Sequence, residues 1–487
     1  LLAALARFAA SLQEASPLGR LCGIGVTYAW DRLEKMIAPR LLQQTSVRAK
    51  ASLKRHLLKR LKAITRPCFQ LEWKSFVMAM NSLGLAASSD SKLTARMFVG
   101  DRPHDRLESL FKKFPVLPDL WCLAITQWCD HSSEVLGRVA RDRAAISDFF
   151  FEGKPLGKIR NVRPGLSDPH DGGRSVTMVE FDKGRVIYKP RAASSEIAWN
   201  STLSWMNSHG LRRGLRAARI LESKRYYWME YVEAVSCKNE PAVRRLYERL
   251  GGMIAAVYVL KAVDCHRENV IVAGEYPILV DTDAIWHVSP LTATQSPSDL
   301  LYRTGFFPNS RPNSLQSVSS VLGGSLGGRQ LARVRNELTN PACYGDEILR
   351  GFFQGWRCLL GTRERRAAFE RRAARVRAQK RRWIYCATQR YAGILRASLE
   401  PAALRSSAAR ARVVRRLCSR PSVSQNVVKA EIKSLMQLDI PYFTRRTQGW
   451  MPREKVRPPA ELKDAIRQAL GWITERGRGT NQLRQKK

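Results

Sequence analysis

DCHRENVIVAGEYPILVDTD, residues 264–283, sets a polar loop, Asp264 to Asn269, ahead of two short apolar runs and closes on a pair of aspartates. The runs Val270 to Ala273 and Pro277 to Val280, turning at Gly274, predict a β-hairpin. Ile278, Leu279 and Val280 then hold Asp281 at a strand end. Working upstream, the spacing predicts a helix from Pro241 to about Val263, an aromatic strand over Arg225 to Glu233, and a helix over Ser194 to Ser208. Before these come the β-type runs Ser175 to Phe181 and Arg185 to Lys189, joined by Asp182-Lys183-Gly184, a second hairpin. Strand pair, helix, strand, helix, polar loop and hairpin is the order of a two-lobed kinase, so the expected class is α+β.

The same residues suggest a chemistry. Phosphoryl transfer needs metal ions on the nucleotide phosphates and a group acting on the attacking hydroxyl. Asp264, His266 and Asn269 from the loop, with Asp281 and Asp283 after the hairpin, offer hard oxygen ligands for Mg2+ and a candidate base. Lys189 ends a β run, where a kinase places the lysine that neutralises phosphates. Asp168-Pro169-His170-Asp171-Gly172-Gly173-Arg174 reads as a turn whose glycine pair lets backbone amides approach an anion. An ordinary polar loop with a surface acidic pair, and one more strand lysine in a basic chain, account for the same residues taken singly. Other templates are missing: the sequence has no GxxxxGK[ST] or HExxH, and no dinucleotide GxGxxG opening a helix.

Length and charge add boundaries. A chain of 487 residues, 44% hydrophobic, exceeds a single core. The texture divides it into a helical accessory region, 1–150, a kinase-like core, 151–300, and a mostly helical basic region, 301–487. The net charge of +41 favours a polyanionic partner, whether nucleic acid, anionic membrane or acidic peptide. Much of it lies in the Arg/Ala runs Arg363 to Arg382 and Arg405 to Arg420, which read as solvated helix faces. Apolar stretches such as Trp121 to Thr126 fall far short of the ~20 residues of a membrane span, and the expected location is the cytoplasm. The ten cysteines form no C-x-x-C pair, which suits reduced thiols and no structural metal.

These residues resemble the N-terminal dehydratase domain of class II lanthipeptide synthetases, a family similar in fold to lipid kinases, from about Phe111 to Phe443. Phe114-Pro115-Val116-Leu117, Glu134-Val135-Leu136-Gly137-Arg138 and Asp142 resemble its helical lead-in. Leu166 to Val176 resembles its Gly-Asp-x-His-x-x-Gly element, with Ser167 in place of Gly. Tyr188-Lys189-Pro190-Arg191 resembles its lysine strand, Tyr227-Trp228-Met229-Glu230 its Trp-x-Glu strand, and Asp264 to Asn269 its catalytic loop. Asp281-Thr282-Asp283 stands for its Asp-x-Glu pair. Arg382 to Tyr391 resembles the segment whose Arg and Thr assist departure of phosphate, here Arg382 and Thr388, with Cys386 where a second Arg is usual. Asp439-Ile440-Pro441-Tyr442-Phe443 resembles a later landmark.

The resemblance implies ATP-dependent phosphorylation of Ser and Thr in a ribosomal precursor peptide, followed by elimination to dehydroalanine and dehydrobutyrine. Lys189 would contact phosphates, Asp168 and His170 would shape that site, Asp264 and His266 would act on the hydroxyl, and Asn269, Asp281 and Asp283 would hold Mg2+. Leader peptides in this family tend to be acidic, which gives the basic surface a use in docking. Full-length members continue into a zinc-dependent cyclase, and ring closure is expected to fall outside these residues, to a further domain or a separate cyclase. Two other readings are a lone peptide kinase that does not eliminate, motivated by Cys386, and a catalytically dead basic protein that binds nucleic acid or acidic peptide.

Overall fold

The computed structural model describes residues 16–83, 97–100, 102–286, 297–308, 320–322, 332–334, 337–377, 380–421, 423–446 and 460–471, with Leu1 and Leu5. The chain runs α1 (Pro17–Met36), α2 (Pro39–Gln44), α3 (Val47–Ser82), α4 (Pro103–Lys113), α5 (Val116–Arg141), α6 (Arg143–Phe151), β1 (Ile159–Arg163), β2 (Thr177–Phe181) and β3 (Arg185–Lys189). Then follow α7 (Ser194–Ser208), β4 (Ile220–Glu222), β5 (Tyr227–Glu230), α8 (Glu240–Val259), β6 (Val270–Ala273), β7 (Tyr276–Leu279), α9 (Pro297–Arg303), β8 (Arg333–Val334) and β9 (Glu337–Leu338). The remainder includes α10 (Gly345–Leu360), α11 (Arg363–Arg377), β10 (Lys380–Trp383), α12 (Thr388–Ser398), α13 (Ser407–Cys418), α14 (Gln425–Met436) and β11 (Phe443–Arg446). Helices and small antiparallel sheets occur together, in keeping with an α+β class. Among the described residues no helix is long and apolar enough to cross a membrane.

Two compact units divide the chain. The first comprises Leu1–Arg191, Arg225–Trp228 and Tyr385–Tyr442. Ser16 and Ser46 start α1 and α3 by accepting hydrogen bonds from Gly19 N (3.1 Å) and Ala49 N (3.2 Å), which satisfy amides that a helix start leaves open. Both helices pack on α5, where the buried indoles of Trp121 and Trp128 donate to Thr65 Oγ1 (2.9 Å) and the Leu53 carbonyl (3.1 Å) of α3. β1, β2 and β3 form an antiparallel meander, with Val162 opposite Val179 and Thr177 opposite Tyr188. Helices α12, α13 and α14 close a small core around Tyr391, Val414 and Leu435. The buried Arg410 guanidinium donates to the carbonyls of Leu435 (3.1 Å) and Met436 (3.0 Å), placing positive charge on the end of α14.

The second unit comprises Ala192–Lys224, Met229–Ile384 and Phe443–Lys487. Its axis is α8, buried without a break from Leu246 to Val259. Such a helix has no solvent face, and its glycines let a neighbour approach backbone to backbone. A Cβ on Gly251 would lie 2.0 Å from the Ile348 carbonyl oxygen, and one on Gly351 of α10 would lie 1.8 Å from the Glu248 carbonyl oxygen. Neither contact is relieved by turning a side chain. Gly351→Ala is therefore expected to destabilise this unit by roughly 3 kcal/mol or more, the upper range for overpacking, measured as a lower urea midpoint. An unchanged midpoint would mean that α8 and α10 are not in this contact.

The structure corrects three of the boundaries expected from sequence. The helix expected to reach Val263 stops at Val259, because Lys261 takes left-handed backbone (φ 46°); Asp264 takes it again (φ 64°) at the start of the polar loop. The aromatic strand is four residues long, Tyr227–Glu230. The basic run through Arg382 is not helical throughout: α11 ends at Arg377 and Lys380–Trp383 pairs as a strand with Phe443–Arg446. The hairpin turns at Asp182-Lys183-Gly184 and Gly274 and the helix Ser194–Ser208 are as the sequence indicates. Positions 378–379 of the basic run, and the parts of 1–150 not named above, lie outside the described residues.

Candidate functional site

In the second unit, the reversal after α8 builds the polar loop. Asn269 pins it: its Nδ2 donates to the Asp264 carbonyl (2.9 Å), and its backbone N–H to the His266 carbonyl (2.9 Å). The same residue's carbonyl accepts from Val280 N (2.8 Å), which ties the loop to the strand that delivers the second acidic pair. Val270 lies opposite Leu279 and Ile271 opposite Ile278, so the apolar hairpin fixes where Asp281 begins. Val263 N donates to Ala284 O (3.1 Å) on the far side of that pair. Thr282 and Asp283 are buried.

Arg382 completes this arrangement. Its backbone N–H donates to the Asp283 carbonyl (3.3 Å) and β10 pairs it with Thr444 of β11. The guanidinium Nη1 lies 3.3 Å from Asp283 Oδ2 and 3.8 Å from Asp264 Oδ2. On the other side, His266 Nε2 lies 3.7 Å from Asp264 Oδ1. Burial pushes the Asp264 carboxyl above the ordinary range; His266 and Arg382 oppose this, while the negative charges of Asp283 and Asp281 add to it. Asp264 thus feels the other two aspartates, and one guanidinium nitrogen lies near both Asp264 and Asp283.

Such carboxylates, with the amide oxygen of Asn269, fit Mg2+ in donor type. Among the described residues no three His, Cys, Asp or Glu side chains gather at metal-binding distance. Arg382 supplies the compensating positive charge in this conformation.

The first unit holds the other candidates. Lys189 ends β3 and is 3% exposed, its Nζ 5.8 Å from the centre of the Tyr227 ring. Its neighbour Tyr188 donates to Glu134 of α5 (2.7 Å), and Glu134 also pairs with Arg138 and Arg174, each at 3.0 Å. Glu134 therefore ties the lysine strand to the turn 168–174. In that turn Asp171, Gly172 and Gly173 all have positive φ (45°, 86° and 76°), which aims two successive amides one way. The anion they hold is the protein's own: Gly172 N and Gly173 N donate to the two carboxylate oxygens of Asp439 at 2.7 and 2.9 Å. His170 Nδ1 meets the Ile440 carbonyl at 2.7 Å. Ser167 accepts from Val176 N and donates to the Asp168 carbonyl, both at 3.0 Å. Asp168 itself is exposed, and Thr388 is half-buried at the start of α12.

Two features escaped the sequence reading. One is Glu134 as the tie between strand and turn, for which the i, i+4 spacing to Arg138 was the visible trace. The other is Asp439 as the acceptor for the glycine amides, which no local pattern could announce.

A prediction follows for Glu134. Burial raises its carboxyl, but the Tyr188 hydrogen bond and the charges of Arg174 and Arg138 outweigh that, leaving it below the ordinary range. A carboxyl depressed in the fold contributes stability above its unfolded value, about 4.3, and loses it as pH falls through the lower folded value. Glu134→Gln is expected to cost about 2 kcal/mol at neutral pH, with the gap in melting temperature narrowing below about pH 4. A gap of constant size would show that the charge contributes nothing.

Comparison with known proteins extends this picture. Residues 114–334 and 327–446 match the family model described as "Domain of unknown function (DUF4135)", which takes in every candidate residue named above. The chain belongs to that family. It is also similar to the lacticin 481/lactococcin biosynthesis protein LcnDR2 of Lactococcus lactis subsp. lactis, with 22% identity over 57% of this chain and 35% of the relative. The chain spans about a third of that relative's length.

Proposed function

We propose that this chain is the dehydratase region of a class II lanthipeptide synthetase, built on a lipid-kinase-like core, which phosphorylates Ser or Thr of a precursor peptide with ATP and then eliminates the phosphate. The observation that carries the reading is the meeting of Arg382 with Asp264 and Asp283. The family resemblance gives these residues to two different half-reactions, and they share one cluster. The similarity to a lacticin 481/lactococcin biosynthesis protein supports a peptide substrate matured for that class of product.

In the first half-reaction the hydroxyl oxygen of Ser or Thr attacks the γ-phosphorus, an O–P bond forms, the bond to the β-phosphate oxygen breaks, and ADP leaves. Asp264, raised by burial, accepts the hydroxyl proton, with His266 beside it to hold or relay that proton. Lys189 neutralises nucleotide phosphate. Asp281, Asp283 and Asn269 would hold Mg2+, which when bound neutralises charge on the phosphates. In the second half-reaction the Cα proton passes to solvent, its bonding electrons form the Cα=Cβ bond, and the Cβ–O bond breaks with its electron pair leaving on the phosphate, giving an alkene and inorganic phosphate. Arg382 donates to the oxygens of the departing phosphate, on which charge develops, and Thr388 assists.

Asp168 and His170 act by shaping the turn beside Lys189. The tie from His170 to Ile440 and from the glycine amides to Asp439 supports a role in holding that turn rigid.

The test is γ-labelled ATP with a candidate precursor peptide and Mg2+. The label should pass first to the peptide and then to inorganic phosphate, at a rate that depends on the peptide's Ser and Thr. Label that stays on the peptide favours a lone kinase, with Cys386 the first residue to exchange for Arg. Absence of any transfer, with tight binding to peptide or nucleic acid, favours a binding protein.

A further inference from the structure

We infer that Arg382 is an exchangeable counter-ion, holding Asp283 and Asp264 in the metal-free protein and giving them up when a divalent cation binds, so that its guanidinium becomes available to phosphate only in the loaded site. This rests on the reading of Asp283 as a metal ligand. The geometry is that of one cation bridging two carboxylates: a single nitrogen, Nη1, lies 3.3 Å from Asp283 Oδ2 and 3.8 Å from Asp264 Oδ2. A magnesium ion held by Asp283 would draw on the same carboxylate oxygens that now face the guanidinium, and two cations sharing them repel each other.

Arg382 and the ion therefore compete for the same oxygens. The arrangement has a clear use before loading. Asp283 is 6% exposed, and a buried carboxylate without a cation is costly.

Only the side chain needs to move. The main chain of Arg382 is held by its N–H to the Asp283 carbonyl and by the β10–β11 pairing. A displaced guanidinium consequently stays within a side chain's reach of the aspartates, where a phosphate ester made at the site would lie. Loading the metal and arming the elimination group become one event, and binding one cation costs the release of the other.

Mn2+ binding to the nucleotide-free full chain, read from the free-ion electron paramagnetic resonance signal, tests this without any turnover. Arg382→Gln, which removes the charge and keeps a polar side chain, should bind Mn2+ on the order of tenfold tighter than the parent chain, as expected for removal of a competing ligand. Arg382→Lys keeps a charge but loses the planar fork and should fall between the two; it also serves if the Gln variant does not fold. Equal or weaker Mn2+ binding in the variants, with binding measurable throughout, would overturn the exchange and leave the metal reading standing. If the parent chain and both variants fail to bind Mn2+ at millimolar concentrations, the exchange and the metal assignment fall together.

Discussion

Replacing Arg382 by alanine is expected to leave ATP turnover running while phosphate stays on the peptide. The guanidinium is the cationic donor of the cluster, and it sits against Asp283 and Asp264 with its side chain 14% exposed. Removing a charge-assisted donor from a departing anion costs about 3 kcal/mol, or on the order of 10² to 10³ in rate. In the proposed mechanism phosphorylation relies on Lys189, Asp264 and the acidic pair and should continue, so the phosphopeptide accumulates and is visible by mass. Full dehydration by the variant would remove Arg382 from the mechanism. A variant that neither phosphorylates nor eliminates, though folded, would place Arg382 in the first step instead.

Asp281→Asn carries the second large effect, a loss of peptide-dependent ATP consumption on the order of 10³. The substitution preserves shape and removes one negative oxygen from the proposed hard-ion ligand set. It also lowers the negative charge acting on Asp264, whose carboxyl is raised in part by Asp281. The expected readout is ADP formation at background with an unchanged melting temperature. Parental ADP formation would exclude Asp281 from metal binding.

What could be read from the sequence was local. The turns at Asp182-Lys183-Gly184 and at Gly274, and the helix Ser194–Ser208, follow from turn chemistry and periodicity, and the structure bears them out. The loop and the two aspartates were legible as a constellation because the hairpin between them is short.

The rest depends on contacts remote in sequence. Lys380 to Trp383 have the composition of the basic helix before them, and they become a strand through pairing with Phe443 to Arg446. The glycine amides of the 168–174 turn looked ready for an external anion, and they are occupied by Asp439, 267 positions away from Gly172. The early stop of α8 comes from left-handed backbone at Lys261, and Asp264 takes the same conformation three residues later; neither is a glycine. Non-glycine residues seldom adopt that conformation, and residues held there cluster at functional sites. Asp264 is one of them.

The central claim is that one site performs both half-reactions in sequence. A time course of peptide mass, taken from the wild-type chain with ATP, Mg2+ and a Ser- or Thr-containing precursor, tests it most directly. The account predicts a species carrying one added phosphate that rises early and then decays as a species lacking one water per modified residue takes its place. A phosphopeptide that only accumulates, or a peptide whose mass never changes while ATP and Mg2+ are in excess, would contradict it.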